Sequence, residues 1–400
     1  MQTLLAVFIC LILAYLLSEL SKKLGLPRVV GQITAGIILG IGAVKAHIFS
    51  AQSMEALSFL SKLGIILLFY YVGLETNFKA FTQNLKRSMI ISAFNTSIPL
   101  ILGFVSMKYL LHFNTIASLI IGVSLSVSAQ AVSLDILEEL KILKTKLGNL
   151  IVSAGAVDDI IELLLVTAIL SIFHSAVSNL TLLGLIVDIT IFIAVILAIK
   201  LLFLPYTLKL FDREKSSTAR FMGSIIVVLL IASLSEYLGL GLMIGAVIAG
   251  IIVRQTIYKE VSIPDWEEHD IARSTHIIAF GFLIPLFFVS IGLNTHPNMI
   301  IPNMSLIAVF TIIAFLGTIG GTILAIKLSG GTFKEGTLLG WGLNPKGDVE
   351  LVIISLALEY SIISEEVFTS LVVMSLLTAI ISPIVFRNLL FKYHVKFEKK

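Results

Sequence analysis

Long apolar stretches recur from one end of the chain to the other, separated by short polar segments. A hydrocarbon core about 30 Å thick needs about 20 apolar residues in a helical span. Because most stretches are near that length, the pattern predicts about 13 spanning helices. The predicted spans are 2–20, 28–44, 56–73, 88–111, 115–136, 147–173, 181–208, 220–237, 239–254, 275–294, 303–326, 335–361 and 365–386.

Two of these spans are interrupted by polar residues. Span five carries hydroxyl and amide side chains from Ser124 to Ser133, and span twelve carries a polar run from Asn344 to Glu350. Irregular backbone is tolerated at membrane depth only where it is buried in protein or lines a cavity. We therefore predict two broken helices whose free backbone groups face a site.

The two halves of the chain resemble each other. The run from Leu24 to Ile38 matches the run from Leu238 to Ile252, and Gly73-Leu74-x-Thr76 matches Gly292-Leu293-x-Thr295. The two polar breaks lie at nearly the same spacing. Each match skips seven spans, so the second copy is upside down. The predicted fold is an all-α polytopic membrane protein with inverted-topology repeats and two crossing broken helices, the architecture of secondary transporters.

Charge is distributed unevenly among the predicted loops. Basic residues concentrate in the loops after odd-numbered spans and in the C-terminal tail, whereas the loops after even-numbered spans hold only Lys45. By the positive-inside rule, the odd-numbered loops and the C-terminus are cytoplasmic, and the N-terminus is outside. The prediction is a multi-pass protein of the cell (plasma or inner) membrane.

Composition excludes several classes of protein. The chain is 57% hydrophobic and 13% charged, and its mean hydropathy is +1.03. We therefore expect residues 1–400 to form a single transmembrane transporter unit embedded in the bilayer. A net charge of +3 gives no case for a nucleic-acid partner, and the single cysteine excludes a disulfide framework or a thiolate metal site.

Span six carries three acids in an apolar helix: Asp158, Asp159 and, one turn after the first, Glu162. Charges at membrane depth cost several kcal/mol, so such residues face protein or water and are functional by default. Two neighbouring carboxylates cannot both ionise easily, and a carboxylate can hold either a proton or a hard cation. We predict that Asp158 and Asp159 bind a monovalent metal cation and protons in competition, with Glu162 as a further candidate.

The two predicted breaks supply the supporting residues of this site. In span five these are Ser126, Ser128 and Gln130, and in span twelve they are Lys346, Asp348 and Glu350. Lys346 could neutralise the ends of the broken helices or pair with Asp348; the sequence leaves both alternatives open.

The chain resembles the monovalent cation/proton antiporter family, which includes bacterial Na⁺/H⁺ antiporters and the membrane part of Kef-type K⁺ effluxers. The resemblance rests on Leu26–Gly31, Ala35–Gly40, Gly73–Thr76, Pro285–Gly292 and the Asp158-Asp159 pair. It implies a homodimer. By position, 88–173 and 303–386 form a mobile ion-translocating core, and 1–73 and 181–294 form the dimerisation scaffold. It also implies that Asp159 carries the ion and that Asp158 is typical of sodium-selective members.

The chain departs from that family at three places. Lys346-Gly347-Asp348 stands where members have Arg-Gly-Glu, and Ala129 and Gln130 stand where hydroxyl or aliphatic residues are frequent. Span eleven lacks the lysine that some electrogenic members carry in the matching helix, so one-to-one exchange is expected unless Lys346 provides a second proton.

The predicted function is therefore antiport of a monovalent cation, Na⁺ or Li⁺ before others, for protons by alternating access. K⁺/H⁺ exchange is the alternative within the same machinery. An intramembrane aspartyl protease is a distant alternative, because adjacent residues on one helix cannot face each other as that chemistry requires. We expect no enzymatic activity and no cofactor; Na⁺ or K⁺ and H⁺ are the transported species.

Overall fold

The computed structural model describes residues 2–75, 85–129, 217–238, 241–257 and 270–393, together with scattered positions between 133 and 165. Predicted span seven (181–208) lies outside the described residues, as do two predicted site residues, Gln130 and Asp159. Every element in the described ranges is helical.

Fourteen of the helices have both ends in the described ranges, and a fifteenth, α7, is helical at each described position of 147–165. The others are α1 Gln2–Lys23, α2 Arg28–Leu39, α3 Gly42–Ile48, α4 Ala51–Glu75, α5 Leu85–Val105, α6 Thr115–Ser126, α8 Ser217–Tyr237, α9 Leu242–Ile257, α10 Asp270–Ile278, α11 Ile284–Leu293, α12 Met304–Leu328, α13 Phe333–Gly342, α14 Asp348–Glu359 and α15 Glu365–Lys392.

Helix lengths agree with a multi-span protein. Among the described residues, 7 helices are long and apolar enough to cross a membrane, or up to 8 if the bent pair α2–α3 counts as one span. A π-helical turn, Ala279–Leu283, joins α10 to α11 into one of them. The predicted number of about 13 spans is compatible with this partial set.

Span two differs from its prediction. We expected an uninterrupted helix over 28–44, but α2 ends at Leu39 and the chain turns by 86° into α3. The Gly40 N–H still donates to the Gly36 carbonyl, which completes the last turn of α2. The run of apolar residues continues through the bend, and that is why hydropathy alone did not reveal it.

Polar side chains cap the N-termini of three helices, α6, α13 and α15. Asn114 accepts the Ala117 N–H at the start of α6, and Thr332 accepts the Glu335 N–H at the start of α13. Ser364 does the same for α15. Such caps satisfy backbone donors that a helix leaves free at its N-terminus.

The chain divides into two compact units. The first comprises Met1–Ser50, Asn77–Leu165 and Phe288–Lys400, and the second comprises Ala51–Thr76 and Val166–Phe287. The described parts of both predicted core segments belong to the first unit, which also contains residues 1–50 that we assigned to the scaffold. The division into a moving core and a dimerisation scaffold concerns motion and remains a prediction.

Glycine contacts confirm the internal repeat. In the first unit, Gly36 of α2 lies against the backbone of Gly292 in α11; in the second, Gly250 of α9 lies against the backbone of Gly73 in α4. Sequence matching pairs Gly36 with Gly250 and Gly73 with Gly292, so the two contacts are equivalent. A side chain at any of the four would collide with the facing helix backbone. Each pair of helices can approach this closely only because both residues are glycine.

A second pair of similar contacts lies at the ends of α11 and α4. Lys45 Nζ donates to the Leu293 carbonyl at 3.4 Å, and an Arg254 guanidinium nitrogen donates to the Leu74 carbonyl at 2.7 Å. Leu74 and Leu293 are matched positions of the repeat. In both copies, a basic side chain therefore donates a hydrogen bond to a carbonyl oxygen that the end of a helix leaves without an intrahelical partner.

Helices α5 and α12 pack against each other through small residues. Gly317 lies on Pro99, and Gly321 lies on the Phe94 carbonyl. This close approach brings the polar residues of α5 into the interior of the first unit.

Candidate functional site

The two interrupted spans cross at their breaks, as predicted. Helix α6 ends at Ser126, and α13 is separated from α14 by residues 343–347. The Ala129 N–H donates to the Pro345 carbonyl at 2.6 Å, and the Ser133 hydroxyl donates to the Gly342 carbonyl. Each break thus satisfies backbone groups of the other, which is how irregular backbone is kept in an apolar environment.

Asp158 of α7 is fully buried beside this crossing. Its Oδ1 accepts from the Ser92 hydroxyl at 2.5 Å and the Thr96 hydroxyl at 3.1 Å. Its Oδ2 accepts from the Asn95 amide at 2.7 Å and the Ser128 hydroxyl at 3.2 Å. An ionised carboxylate offers about four acceptor positions, so these donors suit the charged form.

The three donors from α5 form one helical face. Ser92, Asn95 and Thr96 are spaced i, i+3 and i+4, which places their side chains on the same side of a helix. Asn95 Oδ1 lies 3.2 Å from the Thr322 hydroxyl of α12, so its amide group points to Asp158. Helix α12 therefore fixes the orientation of a donor that α5 supplies.

Glu162, one turn after Asp158, is joined to the same break. Its Oε1 accepts from the Ser128 N–H at 2.6 Å and lies 3.3 Å from the Ser128 hydroxyl. That hydroxyl also lies 3.2 Å from Asp158 Oδ2 and has one proton to donate. Ser128 therefore links two buried carboxyl groups and can donate its hydroxyl proton to only one of them at a time.

Lys346 lies in the other break and is 1% exposed. Its Nζ donates to the Thr318 hydroxyl of α12 at 3.3 Å. The acids near enough to act on its charge are Glu350 first, then Glu162 and Asp158. Of the two alternatives left open, pairing with Asp348 is absent: Asp348 begins α14, is partly exposed, and makes no ion pair with Lys346.

Glu350 is the other fully buried acid of span twelve. Within the described part of the chain, neither of its carboxyl oxygens has a hydrogen-bond partner. The Ser375 hydroxyl of α15 faces this carboxyl group without reaching hydrogen-bond geometry.

The structure brings together five of the predicted residues: Asp158, Ser128, Glu162, Lys346 and Glu350. The Ser126 hydroxyl is instead bonded to the Val123 carbonyl of its own helix. The prediction missed the donors on α5 and the hydroxyls of α12 and α15 that contact the second break. Those are Ser92, Asn95, Thr96, Thr318, Thr378 and Ser382.

Comparison with known proteins identifies the family. The family profile described as "Sodium/hydrogen exchanger, transmembrane" matches residues 7–392. This chain belongs to the sodium/hydrogen exchanger family. The predicted resemblance is confirmed, and the family is one of transporters, which leaves the protease alternative without support.

Relatives of this exchanger match over nearly their whole length. It is 27% identical to the "Na(+)/H(+) antiporter" of Enterococcus hirae, covering 92% of this chain and 93% of that protein. It is 29% identical to the "Probable Na(+)/H(+) antiporter 3" of Methanocaldococcus jannaschii, covering 96% and 95%. It is 28% identical to the "Na(+)/H(+)-K(+) antiporter GerN" of Bacillus cereus, covering 92% and 91%.

A solved structure shares the fold. The sodium proton antiporter MjNhaP1 from Methanocaldococcus jannaschii aligns with a TM-score of 0.67 and 15% identity, covering 97% of each chain. The predicted all-helical antiporter fold with crossing broken helices is thereby confirmed.

Proposed function

We propose that this exchanger carries Na⁺ in one direction and H⁺ in the other by alternating access. Asp158 and Asp159 compete for cation and proton in this proposal. The observation that carries it is the fully buried Asp158 carboxylate, surrounded by four uncharged donors at the crossing of two broken helices.

The surroundings of Asp158 suit the three states that such a cycle requires: an ionised, a protonated and a cation-bound carboxyl group. Hydroxyl groups both donate and accept, so Ser92, Thr96 and Ser128 can donate to an ionised carboxylate or accept from a protonated one. The same oxygens can turn towards a hard monovalent cation, which prefers oxygen ligands. A site able to hold either ion, but with one negative charge to offer, exchanges one for the other.

The finer details are proposals that the family relation supports. They include a homodimer, a mobile core, a cell-membrane location, an outside N-terminus and a cytoplasmic C-terminus. We choose Na⁺ over K⁺ as the proposed cargo because all three relatives above are named for Na⁺/H⁺ exchange, whereas only one of those names also includes K⁺.

A cation-jump assay tests this function. The purified full chain is reconstituted into liposomes holding a pH-sensitive dye, and Na⁺, Li⁺ or K⁺ is added outside. Na⁺-driven proton flux supports the proposal. Flux driven by K⁺ alone would replace Na⁺ with K⁺ as the cargo, and no flux with any cation would refute antiport.

Asp159→Asn is expected to abolish cation-driven proton flux while leaving the protein folded, because the resemblance assigns the transported ion to this carboxylate. Size-exclusion chromatography in detergent reports folding, and the liposome assay reports transport. Flux retained by a folded Asp159→Asn variant would remove Asp159 from this role.

Transport is expected to depend on pH because proton and cation share a site. Where one proton competes with one cation, the apparent Na⁺ affinity weakens by up to about tenfold for each unit of falling pH. Half-saturating Na⁺ concentrations measured between pH 6 and 9 check this expectation. A constant value across that range would contradict competition at a carboxylate.

A further inference from the structure

Glu350 and Asp158 are two fully buried carboxyl groups with opposite surroundings. Asp158 accepts four hydrogen bonds from side chains, whereas both oxygens of Glu350 lack a hydrogen-bond partner. Hydrogen bonds to a carboxylate favour its ionised form, and burial without them favours the protonated form. The two carboxyl groups are therefore suited to different charge states in the same structure.

Lys346 does not form an ion pair with Glu350. Glu350 is the acid that acts most on the Lys346 charge, ahead of Glu162 and Asp158, but the Lys346 Nζ donates its hydrogen bond to the Thr318 hydroxyl. The N-terminus of α14 stabilises a carboxylate in its first turn only modestly. Desolvation of an ion that accepts no hydrogen bond costs more than this, so the neutral acid is favoured.

We infer that Glu350 is a second proton-binding group of the transport site, which holds a proton while Asp158 is ionised and releases it when a cation enters. The inference rests on the proposed Na⁺/H⁺ exchange. It gives the chain a second proton carrier without the span-eleven lysine that the sequence lacks.

Lys346 supplies the link between the two carboxyl groups. A cation arriving at Asp158 and Glu162 repels the ammonium group, which sits on a flexible four-carbon chain. The two unpaired oxygens of Glu350 are the vacant acceptors near it. The carboxyl group of Glu350 loses its proton to water, its O–H bond breaks, and the resulting carboxylate pairs with the ammonium.

Of the described elements packed against α14, α6 and α15 bring no charged side chain to this point. Helix α6 contains no ionisable residue, and the charged residues of α15 lie in its first turn and beyond Phe386. From α15, Glu350 meets the Ser375 hydroxyl. Its protonation therefore depends on Lys346 and, through Lys346, on Glu162 and Asp158.

The test is the number of protons exchanged per Na⁺. Liposomes containing the full chain are set to opposing Na⁺ and pH gradients under a voltage clamp, and the gradients that give zero net flux yield the ratio. We expect Glu350→Gln to keep Na⁺-driven flux but to exchange about one proton fewer per Na⁺ than the unaltered chain. Glu359→Gln, at the exposed far end of α14, is the matched control and should leave the ratio unchanged.

The outcomes separate the two proposals. An equal ratio in the unaltered chain and in Glu350→Gln overturns the role of Glu350 and leaves Na⁺/H⁺ exchange standing. Absence of Na⁺-driven flux in the unaltered chain refutes the exchange itself.

Infrared spectroscopy gives a readout that does not need an active variant. Protein carrying ¹³C-labelled glutamate should show a protonated-carboxyl band that disappears when Na⁺ is added. Glu350→Asp, which keeps an ionisable group, should remove that band from the labelled region. A Na⁺-insensitive spectrum, or a band unaffected by Glu350→Asp, would overturn the inference.

Discussion

Asp158→Asn is expected to slow Na⁺-dependent proton flux by about 100-fold or more. The substitution removes the negative charge proposed to bind the cation, and a loss of about 3 kcal/mol in cation binding corresponds to roughly 100-fold, because each 1.4 kcal/mol is about tenfold in affinity. The amide also places N–H groups against the side chains that now donate to the carboxylate, Ser92, Asn95 and Thr96 among them. Initial rates in liposomes at saturating and limiting Na⁺ measure both effects.

Ser153→Ala is the matched control for that variant. Ser153 lies on the same helix, but its hydroxyl bonds to the Asn149 carbonyl of its own helix and does not reach the site. The control should transport normally. Near-normal rates in a folded Asp158→Asn protein would show that the buried carboxylate is structural and that the transported cation is held elsewhere.

Gly321→Ala is expected to be clearly less stable than Gly320→Ala, which should be as stable as the unaltered protein or slightly more stable. A methyl group at Gly321 would collide with the Phe94 carbonyl of α5, whereas one at Gly320 would meet open space. Overpacking of this kind typically costs about 1–3 kcal/mol. Because α5 carries the donors to Asp158, loss of transport should accompany the loss of stability.

The neighbouring positions make this comparison well controlled. Both glycines lie within α12, so any gain in helix propensity on changing glycine to alanine is the same, about 1 kcal/mol. Thermal unfolding in detergent, followed by the fraction of monodisperse protein remaining, measures the difference. Equal melting temperatures for the two variants would show that α5 and α12 do not pack closely at Gly321.

The acids of the site could be found from the sequence, but most of their partners could not. Asp158 and Glu350 stand out because charge is rare in apolar spans. Ser92 and Thr96 do not, because hydroxyl residues in such helices commonly bond to their own backbone, as Ser153 does. The available signal was the shared face of Ser92, Asn95 and Thr96 within one apolar span.

The partner of Lys346 was hidden for a different reason. Adjacent positions in a sequence suggest contact, so Asp348 was a natural candidate. The helix restarts at Asp348, however, and the Lys346 side chain bonds to Thr318 of α12, which is 28 residues earlier in the chain. A broken helix can be recognised from its polar residues, but the direction of each side chain depends on the segment that crosses it. The 86° turn after Leu39 was missed for another reason, because the apolar run continues through the bend.

The contact between Lys45 and the Leu293 carbonyl bears on how the chain enters the membrane during synthesis. Lys45 is the one basic residue in the loops assigned to the outside, where it weakens the charge asymmetry that guides insertion. Arg254, in the last turn of α9, makes a similar contact with the Leu74 carbonyl at the side predicted to be cytoplasmic. On the predicted topology, a nascent chain has to translocate this positive charge, which the folded protein uses at the end of α11. Removing Lys45 should then ease insertion while weakening the end of α11.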